Sequence, residues 1–291
     1  MEELHKPVLL SEVLEVLDPK PGESYLDLTA GYAGHASKVL DVTRNYKESV
    51  LVDRDSFATE YLQEKYASES VKIVKEDFYS AVLQEIECGK KFDMILADFG
   101  VSSPQLDMGE RGFSFHHDGP LDMRMDRTQT KSADEIVNKW SERDLAELFV
   151  KYGEEKPGFA KVVAKEIVHG RPWKTTKELA EAIKRKARFS HTHPATRIFQ
   201  AIRIEVNDEL SEIEKTLPLL PKLLKPGGRV ALITFHSLED RLVKNYFKEA
   251  TSFGEESEIE ILNKAPITAG KVELVINPRA RSAKLRAAKK R

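Results

Sequence analysis

At 291 residues, 41% hydrophobic and 32% charged, the chain is long enough for one large domain or for one domain carrying an insertion, with a real core. Its single cysteine, Cys88, excludes an internal disulfide and a cysteine-rich zinc site, and no apolar stretch approaches the roughly 18 residues of a membrane span. The net charge of −2 hides an asymmetry: Asn277 to Arg291 carries seven basic residues and no acid, leaving 39 basic against 48 acidic residues in the remainder. Such a tail is either a solvated appendage or a contact for a polyanion.

In chain order, apolar residues at 8, 9, 10, 13, 14 and 17 have helical spacing, and Pro19 and Pro21-Gly22 end that helix. The acids Glu2, Glu3 and Glu12 around this run are unlike a signal peptide, so a cytoplasmic protein is expected. A strand follows at about Ser24 to Leu28. Helix and strand then alternate: a helix near 34–40, a strand near 49–53, a helix near 56–66, a strand near 71–75, a helix near 79–88 and a strand from Phe92 to Ala97. This alternation predicts a right-handed parallel sheet covered by helices. From Gly100 to about Leu210 no convincing buried strand occurs. Gly109 to Asp126 reads as a structured loop, and Ser132 to Tyr152, Gly158 to His169 and Thr176 to Arg188 read as amphipathic helices. That length is too great for a simple connection, so an inserted helical subdomain is expected. Alternation resumes with a helix at about Asn207 to Leu224, a Pro226-Gly227-Gly228 turn, a strand from Arg229 to Phe235 and a helix at 239–250. Two strands, near Glu258 to Leu262 and Val272 to Ile276, are expected to close the sheet as an antiparallel hairpin.

The most informative string is D-L-T-A-G-Y-A-G-H, Asp27 to His35. It breaks into small residues where a strand turns into a helix, so backbone amides can approach a ligand closely. Asp53, 22 residues past Gly31, ends the next apolar run and can accept hydrogen bonds from both hydroxyls of a ribose. An adenosine-type nucleoside is the expected ligand. The G-x-G-x-x-G spacing of a dehydrogenase is absent. Leu224 to Gly228 before an apolar strand instead resembles the turn before the fifth strand of Rossmann-like S-adenosylmethionine-dependent methyltransferases. In that class Asp77-Phe78 falls where adenine contacts occur, with ordinary core packing as the alternative for Phe78. The fourth strand ends in D-F-G-V-S-S-P-Q-L-D from Asp98, and ligands of such folds sit at the carboxyl ends of the strands. The eight histidines show no metal-ligand spacing; His116-His117 and His191/His193 come closest, and no metal is expected.

Seven strings in order then resemble one family, the bacterial 16S ribosomal RNA cytosine-N4 methyltransferases (RsmH or MraW). They are H-K-P-V-L-L-S-E-V-L from His5, the strings from Asp27 and Asp98, R-G-F-S-F-H-H-D-G-P-L-D-M-R-M-D from Arg111, H-P-A-T-R-I-F-Q-A-I-R-I-E-V-N from His193, F-H-S-L-E-D-R from Phe235, and N-P-R-A-R-S-A-K-L-R from Asn277. The resemblance implies an α/β fold, a class I methyltransferase sheet with an inserted all-helical subdomain. Residues 1–106 and 207–291 would form the discontinuous cofactor-binding domain, and 107–206 the substrate-recognition insert. It implies S-adenosyl-L-methionine as cofactor, with contacts at Ala33, Gly34, His35, Asp53, Phe78, Asp98 and Gln105. It also implies a cytidine of the 16S rRNA decoding region as substrate, within the small ribosomal subunit; a homodimer is compatible with it. Ala33 stands where the family usually has a second glycine, which is tolerable if its φ is negative.

Independently of the resemblance, an exocyclic amine needs alignment with an activated methyl and an acceptor for its proton. Asp98 is the candidate for that acceptor. Methylation at C5 would need a thiol at a strand tip, and Cys88 lies at the end of a predicted helix. Phe99, Phe113 and Phe115 are candidate stacking partners for an extruded base, or else core residues. Arg111, Arg124 and the D-G-P-L-D-M-R-M-D segment lie close to the site in sequence and are expected to order it, and His236 either faces substrate or is a satisfied structural histidine. Residues 170–203 hold nine basic and two acidic residues and, with the tail, make two candidate phosphate-binding patches. Two further readings are a methyltransferase acting on a protein or small molecule, and a non-catalytic ribosome-assembly factor. A nicotinamide dehydrogenase is more distant.

Overall fold

A computed structural model describes residues 6–187, 193–252 and 254–291; Glu2, Glu3, His5, Arg188 and His191 lie outside the described residues. The elements run α1 (Leu10–Leu17), β1 (Tyr25–Asp27), α2 (Gly34–Thr43), β2 (Val50–Asp53), α3 (Ser56–Lys65), β3 (Lys72–Lys75), α4 (Phe78–Glu87) and β4 (Phe92–Asp98). Next come α5 (Ser103–Asp107), α6 (Ala133–Lys139), α7 (Glu142–Lys151), α8 (Pro157–His169), α9 (Thr176–Lys186), α10 (Ala195–Asn207), α11 (Glu209–Thr216) and α12 (Leu220–Leu223). The chain closes with β5 (Leu224–Thr234), α13 (Ser237–Ala250), β6 (Ile259–Ile261), α14 (Lys271–Ile276) and β7 (Lys284–Lys290). Two compact units result: Met1–Gly100 with Leu210–Arg291, and Val101–Glu209.

The first unit holds one seven-stranded sheet in the order β3-β2-β1-β4-β5-β7-β6. Strands β1 to β5 pair in parallel, while β7 runs antiparallel to both β5 and β6. This is a Rossmann-like α/β sheet with a reversed edge. Its strands alternate between two buried faces. Val50, Val52, Ile95, Ala97, Val230 and Leu232 enter one cluster, and Leu51, Met94, Leu96, Ala231 and Ile233 the other. Burial on both sides explains why these strands read as continuous apolar runs. At Gly228 an added Cβ would stand 3.1 Å from the Phe92 carbonyl and 2.9 Å from that of Lys225, so β5 has no room for a side chain at this point, where its register against β4 shifts.

The second unit is helical in its regular elements and packs around its own core. Ile136, Leu145, Phe149, Val163, Leu179 and Ile202 are fully buried there. The loop before α6 is held by polar clamps. Arg111, 2% exposed, donates to the carbonyls of Arg124 and Met125. The buried Asn207 accepts from Met125 N–H at 2.9 Å and donates to Met123 O at 2.8 Å.

The structure corrects four expectations. The helix expected over Ser132 to Tyr152 is two helices, because Trp140 is extended and Ser141 caps α7 by accepting from Asp144 N–H. The helix expected at 207–224 is broken: Asp208 adopts φ 51°, and Pro218 and Pro221 confine the residues around them to short turns. The long helix α10 is an addition to the expected elements, although Ile198, Phe199, Ile202 and Val206 carry its apolar spacing. Most consequential, Val272 to Ile276 is not a strand but helix α14, and the closing strand is β7 in the basic tail. Leu285, Ala287 and Ala288 are buried in it. Arg286 and Lys284 pair with Asp240 of α13 at 2.8 and 2.9 Å, and Lys290 donates to Pro221 O. Much of the tail's charge is thus used in holding the sheet.

Candidate active site

The site of the first unit is built at the carboxyl ends of β1, β2 and β4, where three acids end their strands. The turn after β1 is fastened from below and from the side. Ala30 N–H donates to Val52 O at 2.8 Å, and Gly31 N–H donates to Asp53 Oδ2 at 2.8 Å. Gly31 has φ 51° and its missing Cβ would lie 4.0 Å from that carboxylate oxygen. Ala33 then adopts φ 62° as the residue preceding α2. Its φ is positive, so the condition under which alanine would sit there without strain is not met.

Asp53 is tied at both oxygens, Oδ2 to Gly31 and Oδ1 to the N–H of Asp55 at 2.8 Å. Burial pushes its carboxyl up to about 6, against the lowering effect of these amides. Each oxygen keeps a second lone pair for a ligand hydroxyl. Asp27, 1% exposed, accepts from Tyr25 Oη–H at 2.7 Å and from Thr29 N–H at 3.1 Å. Burial lifts it to about 7. Thr29 Oγ1 in turn accepts from Asp98 N–H at 2.6 Å. A continuous chain of hydrogen bonds therefore runs from Tyr25 through Asp27 and Thr29 to the backbone of Asp98.

Asp98 has a side chain 15% exposed, with Oδ2 3.8 Å from His35 Nδ1. Its Oδ1 is buried without a hydrogen-bond partner among the described residues. Burial first, and then the charges of Asp27 and Glu239, hold its carboxyl well above the usual carboxylate range. His35, 6% exposed, has Nε2 at 2.8 Å from Val8 O.

The remaining expected residues fall in different settings. Phe78 begins α4, behind Asp77, whose carboxylate caps the helix through Ser80 N–H and Oγ–H. Its ring lies 5.6 Å from that of Phe99, which is 3% exposed and part of the sheet core. Gln105 belongs to the second unit. There its side chain accepts from Ser102 N–H at 3.0 Å, closing a capping box at the start of α5. Phe113 is core in the second unit, and Phe115 contacts His116, His193 and Phe199 there. His236 is a helix cap: its Nδ1 accepts from Glu239 N–H at 3.3 Å, while Glu239 accepts from the N–H of Phe235 and His236. Arg111 and Arg124 both hold loop carbonyls. Within the basic stretch 170–203, Lys186 pairs with Glu166 and Arg203 with Glu209.

Sequence reasoning missed Tyr25, Asp27 as a buried acid, Thr29 and Glu239. The signal for the first three was an acid and a threonine two residues apart at a strand end. Such a pair is cheap only when the carboxylate has local donors.

A profile of the MraW methylase family matches residues 2–291. The Ribosomal RNA small subunit methyltransferase H of Synechocystis sp. is 46% identical over 297 residues, spanning 98% of this chain and 93% of that protein. The protein of the same description from Trichodesmium erythraeum is 45% identical over 292 residues, spanning 98% of this chain and 99% of its own. Among solved structures, a putative rRNA-methylase from Clostridium thermocellum matches with a TM-score of 0.47 at 9% identity, covering 99% of this chain and 100% of that one. Strand order and pairing, rather than that likeness, make the sheet Rossmann-like.

Proposed function

The chain belongs to the MraW methylase family, and from that premise we propose that it transfers a methyl group from S-adenosyl-L-methionine to the exocyclic N4 amine of a cytidine in the decoding region of 16S rRNA. The observation that carries the reading is the tip of β4. A carboxylate oxygen that is buried and unpartnered among the described residues, as Oδ1 of Asp98 is, costs about 1–3 kcal/mol unless a ligand donates to it. An amine donor fits that need, whether on the cofactor or on the base. The turn from Gly31 to His35 fits the other end of the cofactor, because its small residues let a ligand approach the backbone at the start of α2 and Asp53 keeps lone pairs for a ribose.

On this reading Ala33, Gly34 and His35 line the methionine part through their backbone, Asp53 holds the ribose, Phe78 meets the adenine, and Asp98 and Gln105 complete the cofactor contacts. The cofactor supplies an electrophilic methyl on a sulfonium, so the protein needs no nucleophile of its own. The chain's work is to hold N4 in line and to accept its proton, and Asp98 does the second. The substrate's polyanionic backbone agrees with the basic stretch of 170–203, in an otherwise acidic chain.

The test is to map methylated cytidines in 16S rRNA from cells lacking this protein, then to restore them with purified protein, cofactor and either naked 16S rRNA or assembled small subunits. Loss and recovery of one N4-methylcytidine is the expected result. Methyl transfer only to a protein or small molecule would replace the substrate, and no transfer at all would leave an assembly factor with a nucleoside pocket.

A further inference from the structure

His35 and Asp98 meet across two elements with their ring nitrogen and carboxylate oxygen 3.8 Å apart, both side chains largely buried. The tautomer of His35 is set at Nε2. Val8 O can only accept, so Nε2 at 2.8 Å must be the donor. In the neutral ring the proton is then on Nε2, and Nδ1 faces Asp98 as a base. The two carboxylate oxygens of Asp98 are not equivalent: Oδ2 is the one toward the imidazole, and Oδ1 is the one without a partner among the described residues.

We propose that His35 is the proton partner of Asp98: Nδ1 takes the carboxyl proton through Oδ2, so that Oδ1 meets the substrate amine as a carboxylate. The inference rests on the methyltransferase reading above. Asp98 needs such a partner because of its surroundings. The charges of Asp27 of β1 and Glu239 of α13 act on it, Tyr25 of β1 is in electrostatic reach of it, and Asp53 of β2 acts in turn on Asp27. A carboxyl so placed keeps its proton at neutral pH and cannot act as an acceptor unless the proton has somewhere to go. His35 is a basic group within reach. In the forward step the N4–H bond breaks and an O–H bond forms at Oδ1. The proton previously held by Asp98 is by then an N–H proton on Nδ1, balanced by the imidazolium charge. The pair thus passes from one proton to two, and one leaves to water after product release, which returns the pair to its starting state. A separation of 3.8 Å exceeds hydrogen-bond length, so a contraction of somewhat under ~1 Å is required, as is common between ligand-free and working geometries. In this role His35 is a positioning residue for Asp98, acting through it.

Two measurements on the full-length protein decide the matter. The first needs no activity. With 15N-labelled histidine, the titration of the His35 ring is followed in the wild type and in Asp98→Asn, the resonance being identified by its loss in His35→Gln. If the two groups share protons, the midpoint falls by roughly one pH unit or more when the carboxylate is removed. Equal midpoints overturn the proposal. The second is single-turnover methylation of the substrate RNA against pH, wild type against His35→Gln. The glutamine amide can keep the donor to Val8 O and loses the base at Nδ1. The deficit should be about 100-fold near pH 6.5, in line with general-base losses, and shrink about tenfold or more by pH 9 as Asp98 ionises unaided. A deficit that is the same at every pH, or none, assigns His35 to structure alone and overturns the proposal. Should the wild type fail to methylate cytidine N4, the function reading falls, and the ring titration still decides the pair.

Discussion

Asp53→Asn tests the ribose assignment with little change of shape. Both carboxylate oxygens accept from backbone N–H groups, of Gly31 and Asp55. An amide nitrogen placed against either donor leaves it unpaired, at a cost of about 1–3 kcal/mol. Losing charge-assisted bonds to the ribose costs a similar amount. The first cost falls on the fold and the second on binding, so cofactor affinity by calorimetry should fall about 10- to 150-fold, and unchanged affinity removes Asp53 from the site. For Asp98→Asn, turnover should drop by roughly two orders of magnitude or more, further than cofactor affinity drops; equal losses would make Asp98 a cofactor ligand only. Ala33→Gly goes the other way. The left-handed backbone of Ala33 costs about 1 kcal/mol or more, partly offset by the extra freedom glycine gives the unfolded chain. A small rise in thermal stability is expected, and a fall would mean that the buried methyl packs better than it strains.

At the scale of elements, β7 changes how the basic tail must be tested. A chain ending at Pro278 lacks the strand that lies between β5 and β6, together with the partners of Asp240. It should fail to unfold cooperatively, and so report nothing about RNA. A cooperative transition with wild-type cofactor binding would show that β7 is dispensable. The salt dependence expected of an RNA-binding tail is better read from Arg281→Ala with Lys289→Ala, both exposed. Each phosphate interaction removed should flatten the slope of log affinity against log salt by about 0.7–0.9, and an unchanged slope leaves the 170–203 stretch as the remaining basic surface. Val272 to Ile276 shows why element type is hard to read at this end of the chain. Its apolar residues suit a strand by composition, but the place beside β5 is taken by β7, and the segment forms α14 instead.

For the whole molecule, the buried acids make stability depend on pH in an unusual sense. Asp27 and Asp53 ionise near 7 and 6 in the folded chain, against about 3.9 when unfolded. Between those values the folded state binds more protons, so stability is full below about pH 4 for these groups and is lost as pH rises toward 7. Asp27→Asn keeps the acceptor for Thr29 and gives Tyr25 a donor in place of an acceptor, so the polar contacts survive. Its thermal midpoint should exceed that of the wild type at about pH 7.5, and the gap should close by about pH 5. Parallel pH profiles for the two proteins would show that Asp27 does not titrate in this window.

What the sequence by itself determined is whatever depends on local chemistry. The alternation from residue 8 to 98, the small-residue turn after β1, and acids at the ends of β2 and β4 are all legible, because period, turn residues and strand-end polarity are written over a few neighbouring positions. The resemblance of seven strings carried the family. Only the tertiary structure decided that Asp27 lies buried beneath the turn, that Thr29 holds the backbone of Asp98, and that His236 caps a helix. It alone seated the basic tail as a strand of the sheet. Each of these is a pairing between residues far apart in the chain or a matter of which edge is free. Burial and strand order are properties of the packed whole, and a local pattern of residues does not contain them.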